Sequence, residues 1–179
     1  MVLMRVPLAL VLAALLVLTA APSAVADDMD EAGRAYVRGD YAKARKILAL
    51  LAEQGSARAM TVLATIYRYG DGVEIDPEKA ARLYRQASLL GDVAAQYELA
   101  QLYWIGFGVE QSVTHTLMWL TVALDLLGFE EFVADSGASK RQPITEFRQN
   151  VVAQANFLEL ARALDMAATC RRSKFTACD

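Results

Sequence analysis

Histidine is nearly missing from this chain: His115 is the single one among 179 residues, and only two cysteines, Cys170 and Cys178, accompany it. Nucleophilic catalysis of the Ser-His-Asp or Cys-His type would have to run through His115. No G-x-S-x-G elbow is present and neither cysteine is placed as a nucleophile, so His115 is expected to be a polar helix residue. A zinc site is disfavoured because no histidine lies near either cysteine. The D-x-D-x-D-G loop of a calcium site is absent too. The acidic pairs that do occur (Asp27-Asp28, Asp71 with Asp76, Glu130-Glu131) fall at a terminus, a turn and a connector, where solvated or structural roles are expected. Two G-x-G pairs, Gly70/Gly72 and Gly106/Gly108, follow no strand, which removes the phosphate-cradle reading. Strand-like alternation and low-complexity runs are lacking. With 18 basic and 21 acidic residues the formal charge is −3, which argues against a nucleic-acid partner. No cofactor and no metal are expected.

One long apolar run exists, at the start. Arg5 precedes Val6–Ala21, then Pro22-Ser23, Ala24-Val25-Ala26 and the acidic Asp27-Asp28. A short basic region, an apolar core and an A-x-A exit predict a secretory signal peptide over residues 1–26. The competing reading is an uncleaved anchor, for which the run is near the lower length limit. There is no cysteine at the exit and no twin-arginine pair, so general export is expected, to a periplasmic or secreted location.

What the rest of the chain holds is a repeat. Shifted by 36 residues, Gly55 falls on Gly91, Ala59 on Ala95, Leu63-Ala64 on Leu99-Ala100 and Tyr67 on Tyr103. The same shift places Gly70 on Gly106, Gly72-Val73 on Gly108-Val109 and Ala87 on Ala123. Self-similarity at this period marks a stack of helical hairpins. Ala57–Tyr69 has no Pro or Gly, and Ala59, Leu63, Ile66 and Tyr67 recur at helical spacing. Gly70 and Gly72 end that helix. Asp76-Pro77 starts the next, with Asp able to cap and Pro suited to the first helical position. Lys79–Leu90 follows with Ala80, Leu83, Tyr84 and Ala87 inward, closed by Gly91. An earlier, shorter unit spans about residues 27–55. Ala35-Tyr36 and Gly39-Asp40 align with Ile66-Tyr67 and Gly70-Asp71 at an offset of 31. The predicted fold is therefore all-α, with units at about 27–55, 56–91 and 92–128.

These residues resemble the Sel-one-like repeat, a branch of the tetratricopeptide superfamily with a longer loop between its helices. The pattern A-x3-L-[GA]-x2-Y-x2-G-x-G-V, then an acidic residue, K-A, an aromatic, A and G, is met throughout the middle unit from Ala59 to Gly91. The last unit departs from it at Ser112, His115 and Thr116 and closes one residue late, at Gly128. The resemblance implies an α-solenoid and a mode of action, protein–protein interaction, without chemistry. Similar exported proteins include regulators that restrain a membrane sensor kinase and factors of envelope assembly, so a protein or peptide partner in the envelope is expected. A cysteine-rich branch is described as penicillin-binding or β-lactamase-like, but it carries cysteines in its repeats and this chain has none there. Self-association is a third reading.

Residues 129–179 form a connector, a C-terminal cap and a tail. A short helix over Glu130–Ala134 is expected, and then Pro143 opening one long helix, or two with a bend, over Ile144–Thr169. Phe147, Val151, Ala155, Leu158, Ala161, Leu164 and Ala168 would make its single apolar stripe. In an exported chain, two nearby cysteines favour a Cys170–Cys178 disulfide over free thiols. Eight residues of helix rise about 12 Å, so a bond requires the chain to turn back, around Ser173-Lys174. Exported members of the family often end in a similar Cys–aromatic–Cys segment.

The expected binding face is the stripe Thr61, Thr65 and Arg68, with equivalents Tyr97, Gln101 and Trp104. First helices of such repeats line the usual binding surface, and Tyr, Trp and Arg are the residue types that anchor interfaces. The alternatives are a plain solvent-facing stripe, or one covered by the C-terminal helix. Trp119 is expected in the core.

Overall fold

A computed structural model describes residues 22–131 and 137–178, with side chains placed over 28–128 and 141–178. Most of the expected signal peptide, residues 1–21, lies outside the described residues. The described residues form eight helices and no strand: α1 (Pro22–Val37), α2 (Tyr41–Glu53), α3 (Ala57–Tyr69), α4 (Pro77–Leu89), α5 (Val93–Ile105), α6 (Val113–Glu131), α7 (Gly137–Val152) and α8 (Phe157–Arg172). Each of the first six packs on the next, and α6 also receives both α7 and α8. This is an α-solenoid of three hairpins closed by a two-helix C-terminal cap.

The helix starts are set by short polar side chains that satisfy free amides of the first turn. Asp40, Ser56, Asp76 and Asp92 each accept from the amide three residues on, with Asp92 at 2.7 Å from the Ala95 nitrogen. Pro77 occupies the first helical position of α4. The ends of α3 and α5 are left-handed glycines, Gly70 and Gly106, whose amides reach back to the Ile66 and Leu102 carbonyls.

A second glycine two residues later sets the spacing between units. A Cβ on Gly72 would come within 2.7 Å of the Tyr41 Cβ, and one on Gly108 within 2.1 Å of the Pro77 carbonyl oxygen. Tyr41 and Pro77 are the first residues of α2 and α4. Each loop thus lays a glycine directly on the start of the preceding unit's second helix, a contact that repeats at the sequence period.

The core divides at α3. Leu63 and Ile66 pack with Ala32, Leu48 and Leu51 of the first hairpin. Ala64, one position round the same helix, joins the larger cluster that runs through Tyr84, Leu99 and Trp119 to Cys170. Small residues at Ala59, Ala64, Ala80, Ala87, Ala95 and Ala100, all fully buried, let the helix backbones approach. Tyr84 and Trp119, also fully buried, fill the space between them. Tyr67 and Leu83 are half-buried at the unit boundary.

Two expectations for the C-terminal part are corrected, and a third falls mostly outside the described residues. Gly128 does not close the last unit: it keeps helical backbone, without the positive φ of Gly91 (+85°), and α6 runs on to Glu131. α7 packs on α6, and its Arg141 guanidinium lies 3.0 Å from where a Cβ on Gly128 would sit. Of the short helix expected over 130–134, the first two residues belong to α6 and the others lie outside the described residues. Pro143 does not open a helix but sits inside α7, which begins at Gly137; the capping function of this helix outweighs the hydrogen bond a proline forfeits.

The single apolar stripe is also wrong. The chain breaks after Val152, and Asn156 starts α8 with a reciprocal capping box: Asn156 accepts from the Glu159 amide and Glu159 from the Asn156 amide, both at 2.9 Å. That break resets the helical phase. Val151 is buried as expected, but Leu158, Ala161 and Leu164 are exposed, and Ala163, Ala167 and Cys170 face the core instead.

Candidate functional site

The tail turns back as the cysteine spacing requires. Lys174 and Phe175 take left-handed backbone, φ +54° and +68°. The Phe175 amide bonds the Cys170 carbonyl at 2.9 Å. Cys170 and Cys178 are joined, their Cα atoms 4.3 Å apart and both side chains buried. The disulfide fastens the last residues against the cap.

The expected binding stripe falls only partly on a cleft. Thr61 and Thr65 bond their own helix, each hydroxyl donating to a carbonyl one turn back, and Thr65 also lies 2.9 Å from the Tyr84 hydroxyl. Neither lines the cleft described below. Arg68, Tyr97, Gln101 and Trp104 are brought together. The Arg68 guanidinium pairs with the Glu98 carboxylate and donates to the Gln101 amide oxygen at 3.1 Å, tying α3 to α5. Burial pushes the Glu98 carboxyl above the ordinary carboxylate value, partly offset by Arg68.

A further wall comes from α7. Phe147 stands edge-on to both Tyr97, with ring centroids 6.0 Å apart, and Trp104, at 6.2 Å. Between α5 and α7 remains a cleft of about 450 Å³, whose α7 side is formed by Pro143, Glu146, Phe147 and Asn150. The alternatives in the sequence thus resolve into a mixture. The C-terminal cap leans over part of the stripe and leaves an open slot beside it. Phe147, which helical periodicity assigns to a core stripe, is half-buried at this slot.

His115 and its neighbours are structural. The Ser112 hydroxyl accepts from the His115 amide at 3.2 Å and lies 2.8 Å from Nδ1. The imidazole stacks on Tyr103, with centroids 4.7 Å apart and an interplanar angle of 15°. The equivalent pair one unit earlier is the Lys79 ammonium, 4.0 Å above the Tyr67 ring. The departures Ser112, His115 and Thr116 therefore keep the helix start and the aromatic contact by other means. Of the acidic pairs, Asp71 accepts from the Tyr36 hydroxyl across the unit boundary and Asp76 caps α4. In the C-terminal part Arg171 pairs with Asp125, and Arg148 reaches the Thr121 hydroxyl. No group of three or more metal-ligating side chains occurs among the described residues, and no described helix is long and apolar enough to cross a membrane.

Stacked hairpins with an open slot between a first helix and the C-terminal cap, and side chains engaged in packing and capping, define a repeat scaffold. The Sel1 repeat pattern matches at residues 26–56, 57–92 and 93–126, over half of the chain, and the protein belongs to the Sel1 repeat family. Its fold is similar to the crystal structure of c5321, a protective antigen present in uropathogenic Escherichia coli strains and displaying an SLR fold. The TM-score is 0.71 at 20% identity, over 84% of this chain and 31% of that one. It is also similar to a Sel1 repeat protein from Oxalobacter formigenes, with TM-score 0.51 at 22% identity, over 80% of this chain and 58% of that one. At such identities the likeness is one of fold, and this chain spans under two thirds of either protein. No curated protein matches the sequence.

Proposed function

We propose that this protein is an exported, non-catalytic adaptor of the cell envelope that holds a peptide segment of a partner protein in the slot between α5 and α7. Sel1 repeats generally serve as scaffolds for protein–protein interaction, and the slot supplies the anchor chemistry. The observation that carries the reading is the trio Tyr97, Trp104 and Phe147, with Phe147 edge-on to the other two rings, around an open cleft that Arg68 and Gln101 also line. Aromatic side chains offer large contact area at small entropic cost, and a rigid aromatic slot is the form in which hot-spot residues are found.

Export is supported by the leader pattern and by the Cys170–Cys178 bond, since disulfides persist in oxidising compartments. Cleavage after Ala26 would remove the first five residues of α1 and leave Asp27-Asp28 at its new N-terminus, where acidic side chains suit the helix dipole.

The test is formaldehyde crosslinking in intact cells followed by capture of the tagged chain. Ile105 lines the slot and is 58% exposed, so Ile105→Glu should leave folding within about 0.5 kcal/mol of the parent while abolishing the crosslinked species. An unchanged crosslinking pattern would contradict the slot as the binding site.

A further inference from the structure

We propose that the first unit carries a second binding groove, separate from the α5–α7 slot, for a partner segment in which carboxylates flank aliphatic side chains. The groove lies between α1 and α3 and measures about 490 Å³, within the roughly 300–1,000 Å³ of ligand pockets. Its apolar lining is Met29 from α1 and Val62 from α3, both half-buried, over the fully buried Leu48 of α2. Its rim is cationic. Arg34 and Arg38 stand one helical turn apart, the Arg38 amide bonding the Arg34 carbonyl, and Arg58 faces them from the start of α3. All three are exposed, and a single acid, Asp30, shares the groove with them. A chain of net charge −3 has here a local excess of positive charge over an apolar floor. Such a surface discriminates by charge and holds by burial. Arg58 makes no ion pair or side-chain hydrogen bond with the described residues.

A second observation is independent of charge. Gly33 lies inside α1, where glycine is the least favourable helix residue after proline. Its place in the later units is taken by Ala64 and Ala100, both fully buried. At Gly33 nothing lies within 4 Å of where a Cβ would sit, and its φ is not in the left-handed region, so neither crowding nor backbone conformation accounts for the glycine. What it does is leave open space along the α1 side of the groove, where Gly33 itself is exposed. Val37, 86% exposed at the same mouth, is apolar where the later units have Arg68 and Trp104. Membranes are a poorer fit than a peptide: an anionic bilayer is read by an exposed basic face, and a recessed floor between helices would not reach it.

The experiment uses the purified full chain and a fluorescein-labelled nonapeptide of alternating glutamate and leucine, followed by anisotropy. The lysine-and-leucine counterpart is the control. The expected result is saturable binding of the acidic peptide only, weakened by added salt. Arg38→Glu with Arg58→Glu should weaken binding at least about tenfold, a loss of roughly 1.4 kcal/mol. Gly33→Leu should do the same by filling the groove, with Tm unchanged or raised, which separates loss of the site from loss of the fold. Ile105→Glu, in the other slot, should bind like the parent, so failure of either site is distinguishable. Equal binding of the two peptides would overturn the proposal. So would parental binding by Gly33→Leu, or displacement of the peptide by phosphatidylglycerol vesicles but not by unlabelled peptide.

Discussion

Replacing Gly108 by alanine tests how the units are held at their spacing. The substitution adds one methyl group in two unfavourable ways. Gly108 has φ +70°, and a non-glycine residue there costs roughly 1–2 kcal/mol. The new Cβ would also lie 2.1 Å from the Pro77 carbonyl oxygen and 2.3 Å from its carbon. Both are backbone atoms at the start of α4, so the neighbour cannot rotate away as a side chain would. Relief requires α4 and the last loop to separate by about an ångström, and overpacking of this kind costs typically about 1–3 kcal/mol. Together the loss is about 3 kcal/mol, a large share of the roughly 5–15 kcal/mol of a domain's stability, and corresponds to about 10 °C in Tm for a chain of this size. Gly91→Ala is the control. Its φ is +85° but nothing lies within 4 Å of the added atom, so only the backbone cost of roughly 1–2 kcal/mol applies. Urea melts of both variants decide it. If Gly108→Ala is no less stable than Gly91→Ala, the loop glycine does not set the distance between units.

Four further outcomes are expected. Reduction, or Cys170→Ser with Cys178→Ser, should lower stability by about 2–3 kcal/mol, as loop closure of this length predicts, and mass spectrometry of the native protein should find the Cys170–Cys178 bond; equal melting of oxidised and reduced protein would contradict a stabilising staple. Tyr36→Phe removes the hydroxyl that donates to Asp71. That bond, with burial, raises the Tyr36 phenol to about 12 from 10, and burial raises Tyr84 to about 12 as well. A raised folded-state value means the stabilisation is complete below pH 10 and is lost as pH climbs from about 10 to 12, so the variant should show a shallower alkaline decline in melting than the parent. Asn156→Ala should cost about 1 kcal/mol by loss of the capping box, read as earlier amide exchange at the start of α8. If the chain is exported as proposed, its mature form should begin at Asp27, and an intact Met1 in the envelope fraction would contradict cleavage.

The repeat was legible because its signals are local. Glycine at a left-handed helix end, aspartate at a helix start and alanine at a close crossing each have a physical reason that depends on a few neighbours. Asp76, Gly70 and the turn at Ser173-Lys174 were readable for that reason. The C-terminal cap was not, because helical periodicity assumes an unbroken phase. The interruption between Val152 and Phe157 rotates everything after it, and moved Leu158 and Leu164 to the surface. Its signal was present, as Asn156 followed three residues later by Glu159, a capping box inside an otherwise continuous apolar pattern. Gly128 shows the converse case: a residue that usually ends helices continues one when another helix packs alongside. The slot was half visible. Repeat alignment picked out Arg68, Tyr97, Gln101 and Trp104 as variable positions on one face, but Phe147 and Pro143 reach them from a segment without repeat symmetry, so no offset could have found them. The first-unit groove was missed because Gly33 and Arg34 lie in a unit whose sequence reads as a terminal cap.

The proposed grip on a partner is through the first-helix face, beside Trp104. A photo-crosslinking amino acid placed at Gln101, in the slot, and at Gln86, exposed on α4, tests it directly in living cells. One discrete adduct is expected from position 101 and none from 86; adducts at 86 alone, or equal adducts at both positions, would rule that grip out.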